Sequence, residues 1–126
     1  MVFEKFNANP KGLKSADCVI RAISKATGDS WEDTYKGLFE LSLKMKRVFN
    51  EKQVYEKYLE QKGWKKQKMP KHENGKRYTV QELADSYWCR FDLIISVAHH
   101  LTYVSKGTLF DTWNCGHKSV GNYWTR

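Results

Sequence analysis

The stretch Leu101-Thr102-Tyr103-Val104-Ser105-Lys106-Gly107-Thr108-Leu109-Phe110-Asp111-Thr112-Trp113 decides the fold class of this chain. Two runs rich in β-branched and aromatic residues flank Lys106-Gly107, which predicts an antiparallel hairpin with a tight turn. A two-residue loop pairs Ser105 with Thr108, sets Thr102 opposite Asp111 and sets His100 opposite Trp113. Phe91 to Val97 reads as a further strand before the hairpin, and Val120 to Trp124 as a last strand after it. Earlier in the chain the period changes. Asp17 precedes Val19, Ile20, Ala22, Ile23 and Ala26 at helical spacing, with Gly28 as a C-terminal stop. Ser30-Trp31-Glu32-Asp33 is a capping-box-like start for a second helix, whose apolar side is Tyr35, Leu38, Phe39, Leu41 and Leu43. Asn50 with Gln53 predicts a third helix through Tyr55, Tyr58 and Leu59 to Gly63. A basic loop, Lys62 to Arg77, follows with turns at Pro70 and Asn74-Gly75, and Thr79-Val80-Gln81-Glu82 opens a short helix to about Tyr87. Helices followed by an antiparallel sheet make an α+β pattern: one domain over 1–126, helical over about 17–87 and sheet over about 91–125.

Composition bounds the possibilities. The chain has 126 residues, of which 40% are hydrophobic and 14% aromatic, enough for a core despite a mean hydropathy of -0.72. Its longest apolar runs, such as Leu93-Ile94-Ile95, fall far short of the ~20 residues that a spanning helix needs. The N-terminal residues Met1-Val2-Phe3-Glu4-Lys5 form no secretory signal, which leads to an expectation of a cytoplasmic protein. Cys18, Cys89 and Cys115 are three cysteines, an odd number that argues for a reducing compartment rather than a disulfide framework.

Cys18, His100 and Asp111 carry the chemistry. Cys18 follows the N-cap position Asp17, so its side chain lies in the first turn of a helix, where free N–H groups and the dipole favour a thiolate. On the hairpin, His100 and Asp111 are diagonal neighbours on one face, the relation that an orienting carboxylate needs to the base it positions. On the other face, His99 and Asn114 would be directly opposed. Parity alone does not choose between the two faces.

Ala16-Asp17-Cys18-Val19-Ile20-Arg21-Ala22 resembles the nucleophile helix of papain-like cysteine peptidases, closest to small bacterial and phage-encoded ones with a (G/A)-D-C-x-x-R-A motif. His100-Leu101-Thr102-Tyr103-Val104 resembles their histidine strand. Asp111-Thr112-Trp113 resembles their orienting Asn/Asp-x-Trp segment, whose Trp shields the His–carboxylate contact from water. The chain order Cys, His, Asp is also that of the family. The resemblance covers about Asn9 to Trp124 and implies a papain-like fold with N-terminal helices on a C-terminal antiparallel sheet. It implies Cys18 as nucleophile, His100 as general base and acid, Asp111 as orienter and Trp113 as support, with no cofactor and no metal. Such an enzyme is a hydrolase, a thiol protease acting on a peptide or protein, and a phage-encoded member works in a host cytoplasm. The family's oxyanion glutamine is replaced by Gly12, which leaves Asn9 or Asn7 to supply a side-chain amide beside the Cys18 N–H.

A formal charge of +8 poses the competing reading. Lys62, Lys65, Lys66, Lys68, Lys71, Lys76 and Arg77 put seven positive charges in 16 residues, with Trp64, His72 and Tyr78 interleaved. Phosphates on Lys65, Lys66, Lys68 and Lys71 and bases on those rings would make a nucleic-acid-binding module, or a non-catalytic interaction module, of the same fold. The simpler account of that segment is a solvated loop. A zinc site is disfavoured, because Cys115-Gly116-His117 lacks the usual ligand spacing. Cys89 beside Trp88 is expected to pack as a small apolar residue, and Tyr123 and Trp124 are expected in the core.

Overall fold

A computed structural model describes residues Met1–Arg126. Four helices, α1 (Cys18–Thr27), α2 (Trp31–Met45), α3 (Lys52–Gln61) and α4 (Val80–Ala84), accompany six strands. The strands are β1 (Val2–Lys5), β2 (Lys65–Gln67), β3 (Asp92–Val97), β4 (His100–Ser105), β5 (Thr108–Asp111) and β6 (Tyr123–Thr125). They form one mixed sheet in the order β1-β5-β4-β3-β6-β2. The class is α+β, and no helix is long and apolar enough to cross a membrane.

The central hairpin follows its turn chemistry. Lys106 (φ 48°) and Gly107 (φ 80°) both adopt left-handed backbone, as a two-residue turn with the twist of its strands requires. Ser105 therefore faces Thr108, Val104 faces Leu109 and Tyr103 faces Phe110. The sheet as a whole differs from the expected C-terminal antiparallel one. β1 comes from the N-terminus and runs parallel to β5, and β2 pairs with β6 inside the segment expected to be a basic loop. Both lie on the rims of the sheet. Short, charged rim strands such as Val2-Phe3-Glu4-Lys5 and Lys65-Lys66-Gln67 lack the apolar alternation by which central strands are recognised.

Other boundaries move for local reasons. β5 stops at Asp111 rather than Trp113, because the Thr112 N–H turns to the Asp111 carboxylate at 2.7 Å and leaves the ladder. Val120 precedes β6, its N–H bonded to the Tyr78 carbonyl at 2.8 Å. α3 opens after Glu51 rather than Asn50, and the Glu51 carboxylate reaches back to the Val48 N–H. On α2, Thr34, Leu38 and Ser42 form the buried stripe, while Phe39 (47% exposed) and Leu43 (54%) face outward, contrary to the apolar side expected. Trp31, Tyr35, Leu41 and Met45 flank that stripe and are partly buried against the core, whereas at 100° per residue Phe39 and Leu43 lie about 100° and about 140° round the helix from Leu38.

The alternation of the central strands divides the apolar residues between two faces. On one face Ile94, Leu101, Tyr103 and Trp124 pack with Val19, Ile20 and Ile23 of α1, Leu38 of α2 and Val54 and Leu59 of α3. On the other, Leu93, Ile95, Val104 and Leu109 pack with Val80 and Leu83 of α4 and with Cys115 and Tyr123. Tyr123 and Trp124 are core residues, as expected. α1 lies on β4, and this contact brings the start of the helix to the start of the strand.

Candidate active site

Cys18 is the first residue of α1 and its thiol is half-buried. Asp17 occupies the N-cap position, yet its side chain makes no capping bond to the helix. The buried carboxylate is instead held by the Arg21 guanidinium, the Trp31 indole N–H at 2.9 Å and the Asn9 amide at 3.4 Å. With no side-chain cap, the N–H groups of the first turn remain open beside the thiol. Burial is the largest single influence on Cys18 and acts to raise its pKa. The His100 imidazole, the Leu101 backbone and the Arg21 charge together outweigh it and hold the thiol below its usual 9.0.

His100 opens β4, directly after a two-residue connection, Ala98-His99, that pairs Val97 with His100. His99 sits in that connection with φ 56° and is exposed. Its partner in the other pairing, Asn114, accepts the Gly116 N–H instead. The face left open by parity is therefore resolved: His100 points inward, and its Nε2 lies 2.6 Å from Asp111 Oδ2. The same oxygen accepts the Thr102 hydroxyl at 2.6 Å, and Oδ1 accepts the Thr112 N–H. Burial works against the Asp111 anion, but the bonds from His100, Thr102 and Thr112 hold its carboxyl below 3.8. Burial likewise opposes charge on His100, yet the hydrogen bond to Asp111, with smaller help from Cys115 and Cys18, pushes its pKa up to about 11. Each of the three shifts is toward the charged form of its group.

The sequence-predicted residues Cys18, His100 and Asp111 thus come together. Trp113 joins them, with its ring 5.0 Å from the His100 ring and tilted by 48°. Asn9 stands one step away, its amide on Asp17 and its carbonyl oxygen on the Lys11 N–H. Behind the thiol, Phe6, Ala22, Leu101 and Phe110 enclose a cavity of about 10 Å³, room for one water at most.

Three further residues belong to the cluster. Arg21 ties the helix to the hairpin, bound to Asp17 at one end and 3.9 Å from Asp111 Oδ1 at the other. It stands one position before Ala22 in the quoted motif, so its presence was legible although its partners were not. Thr102 was legible too, since the hairpin register places it opposite Asp111. Cys115 was not: it lies in an irregular segment, fully buried, with Sγ 3.8 Å from Asp111 Oδ2. His100, Asp111 and Cys115 present donor atoms all within 4.8 Å of one another, ligand types that zinc accepts, and each of them is engaged within the hydrogen-bond cluster.

The basic segment is arranged otherwise than expected. Lys65 and Lys66 are on the rim strand β2, with Lys66 paired to Glu56 at 3.0 Å, and Lys68 and Lys71 follow in exposed chain. Trp64 is buried in the core and His72 is stacked on Tyr78 at 4.0 Å, so these rings are occupied and do not interleave with the lysines as an open stacking surface. Cys89 is exposed, not packed; the 3₁₀ turn Tyr87–Arg90 turns Trp88 inward in its place. No family model, no curated protein and no solved structure matches the chain.

Proposed function

We propose that this chain is a papain-like cysteine peptidase, or a related thiol hydrolase, that cleaves an amide bond of a peptide or protein through Cys18, His100 and Asp111. The observation that carries this reading is the 2.6 Å contact of His100 with Asp111, beside a thiol that the same imidazole acidifies. An imidazolium–thiolate pair oriented by a buried carboxylate is the resting arrangement that thiol acyl transfer requires.

In that mechanism the Cys18 thiolate attacks the carbonyl carbon and forms a C–S bond. The oxyanion forms beside the Cys18 N–H at the open helix start, with a positive helix end behind it. His100 gives its proton to the leaving nitrogen as the C–N bond breaks, which leaves a thioester and a neutral imidazole. The imidazole then takes a proton from water, hydroxide adds to the thioester carbon and the C–S bond breaks. The thiolate and imidazolium return. Asp111 keeps the ring oriented throughout, and Trp113 covers it. A free Cys18 needs reducing surroundings, which agrees with three unpaired cysteines.

The test is a peptide library digested with the wild type and with Cys18→Ala, together with an epoxide probe for thiol peptidases. Cleavage that disappears in the variant, with a single adduct mapped to Cys18, is the expected result. No cleavage and no adduct under reducing conditions would sink the proposal.

A further inference from the structure

At the end of the sheet opposite to Cys18, a pocket of about 380 Å³ lies among Lys65, Arg90, Lys106, Arg126 and the rings of Trp88 and Phe91. Lys106 follows β4, the strand that His100 begins, so the two sites are separated by the length of that strand, about 17 Å for five steps. None of the four cations forms an ion pair. Arg126 rests over the Trp64 ring at 5.4 Å, which steadies the guanidinium without neutralising it. The carboxylate at the pocket, Asp92, accepts the Ser105 hydroxyl at 2.6 Å. Beside the cations stands an open aromatic cluster: Tyr87, 77% exposed, lies 5.9 Å from Phe91, 45% exposed, and Trp88 meets both edge-on.

We propose that this pocket binds single-stranded nucleic acid, with phosphates on Lys65, Arg90, Lys106 and Arg126 and a base against the exposed Tyr87 and Phe91 rings. Cations alone would suit an acidic peptide equally. Exposed flat rings that contact one another are what bases stack on, and a carboxylate gains nothing from them. The chain's +8 charge adds a general attraction for a polyanion. The cations that converge come from four separate places in the sequence, and only Lys65 belongs to the basic run that sequence inspection singles out. This site is independent of the thiol chemistry.

The test uses the full chain and a fluorescein-labelled thymidine oligomer, followed by anisotropy. Four phosphate contacts on a single strand give a salt slope of about −2.8, so affinity should fall about 50-fold between about 50 and 200 mM salt. Arg90→Gln with Lys106→Asn, which keeps a residue tolerant of left-handed backbone in the turn, should reduce that fall to about 7-fold. Tyr87→Ala should weaken binding at least ~5-fold, as loss of one stacked base does. Lys71→Gln with Lys76→Gln removes equal charge elsewhere and should leave the slope unchanged, and Cys18→Ala should bind as the wild type does. Absence of binding at low salt, or equal losses from the Lys71/Lys76 pair, would overturn the proposal. So would displacement of the oligomer by a polyglutamate peptide at equal charge concentration, which would assign the pocket to acidic peptides.

Discussion

Replacing His100 by Gln keeps a polar side chain of similar reach at the start of β4 and removes the positive charge beside Cys18. The thiol then loses the strongest of the influences that lower its pKa, while burial, the largest influence and one that raises it, remains. A hydrogen bond to a charged group contributes about 1.5–3 kcal/mol, and one pKa unit is about 1.4 kcal/mol, so the thiol should rise by about 1–2 units. At a pH below the midpoints of both proteins the thiolate fraction then falls about 10- to 100-fold. A more basic thiolate is intrinsically more reactive, with a Brønsted coefficient of about 0.4–0.5, which offsets roughly half of that loss on a logarithmic scale. The net expectation is an alkylation rate about 3- to 15-fold lower. The assay is iodoacetamide labelling of Cys18 followed by mass spectrometry across pH, in a Cys89→Ser background because Cys89 is exposed. Circular dichroism establishes that the variant is folded. A wild-type midpoint at or above 9.0, or a midpoint left unchanged by His100→Gln, would refute the reasoning.

Stability should follow pH with signs set by the same groups. His100 is raised from 6.5 to about 11, so its contribution is complete below about 6.5 and is lost as pH rises toward 11. Calorimetry should therefore show a smaller fall in Tm between pH 7 and pH 9.5 for His100→Gln than for wild type. Asp111 is lowered from 3.8, so its contribution is present above that pH and is lost as pH falls; Asp111→Asn should flatten the acid limb of the same curve. Thr102→Val removes a buried donor to a carboxylate and should cost about 1.5–3 kcal/mol in urea denaturation, with Cys18 labelling altered far less. Gly107→Ala places a Cβ at φ 80° in the hairpin turn and should cost about 1–2 kcal/mol by the same measurement.

Part of the site can be read without a structure because it is local. Helical spacing from Val19 to Ala26 puts Cys18 at a helix start, and the turn residues Lys106-Gly107 set the register that joins Thr102 to Asp111. The choice between His99 and His100 was not local. It depends on where the β3–β4 connection falls, and both residues satisfy the pattern of a strand until pairing of Val97 with His100 leaves His99 in the turn. Asp17 illustrates a different limit. Its position is that of a cap, but a carboxylate bonds whichever donors tertiary packing brings, and here these are Arg21, Trp31 and Asn9 rather than its own helix.

By itself, the sequence determined the class of the fold, the course of α1 with Cys18 at its start, and the register of the central hairpin that sets Thr102 beside Asp111. All of these rest on periods and turns that span a few residues. Only the tertiary structure decided which histidine faces inward, that β1 and β2 close the rims of the sheet, and that Cys115 lies under Asp111. It alone gathers Lys65, Arg90, Lys106 and Arg126 around one pocket. The reason is physical: rim strands and converging charges carry no periodic apolar signal, and their partners are supplied by chain tens of residues away.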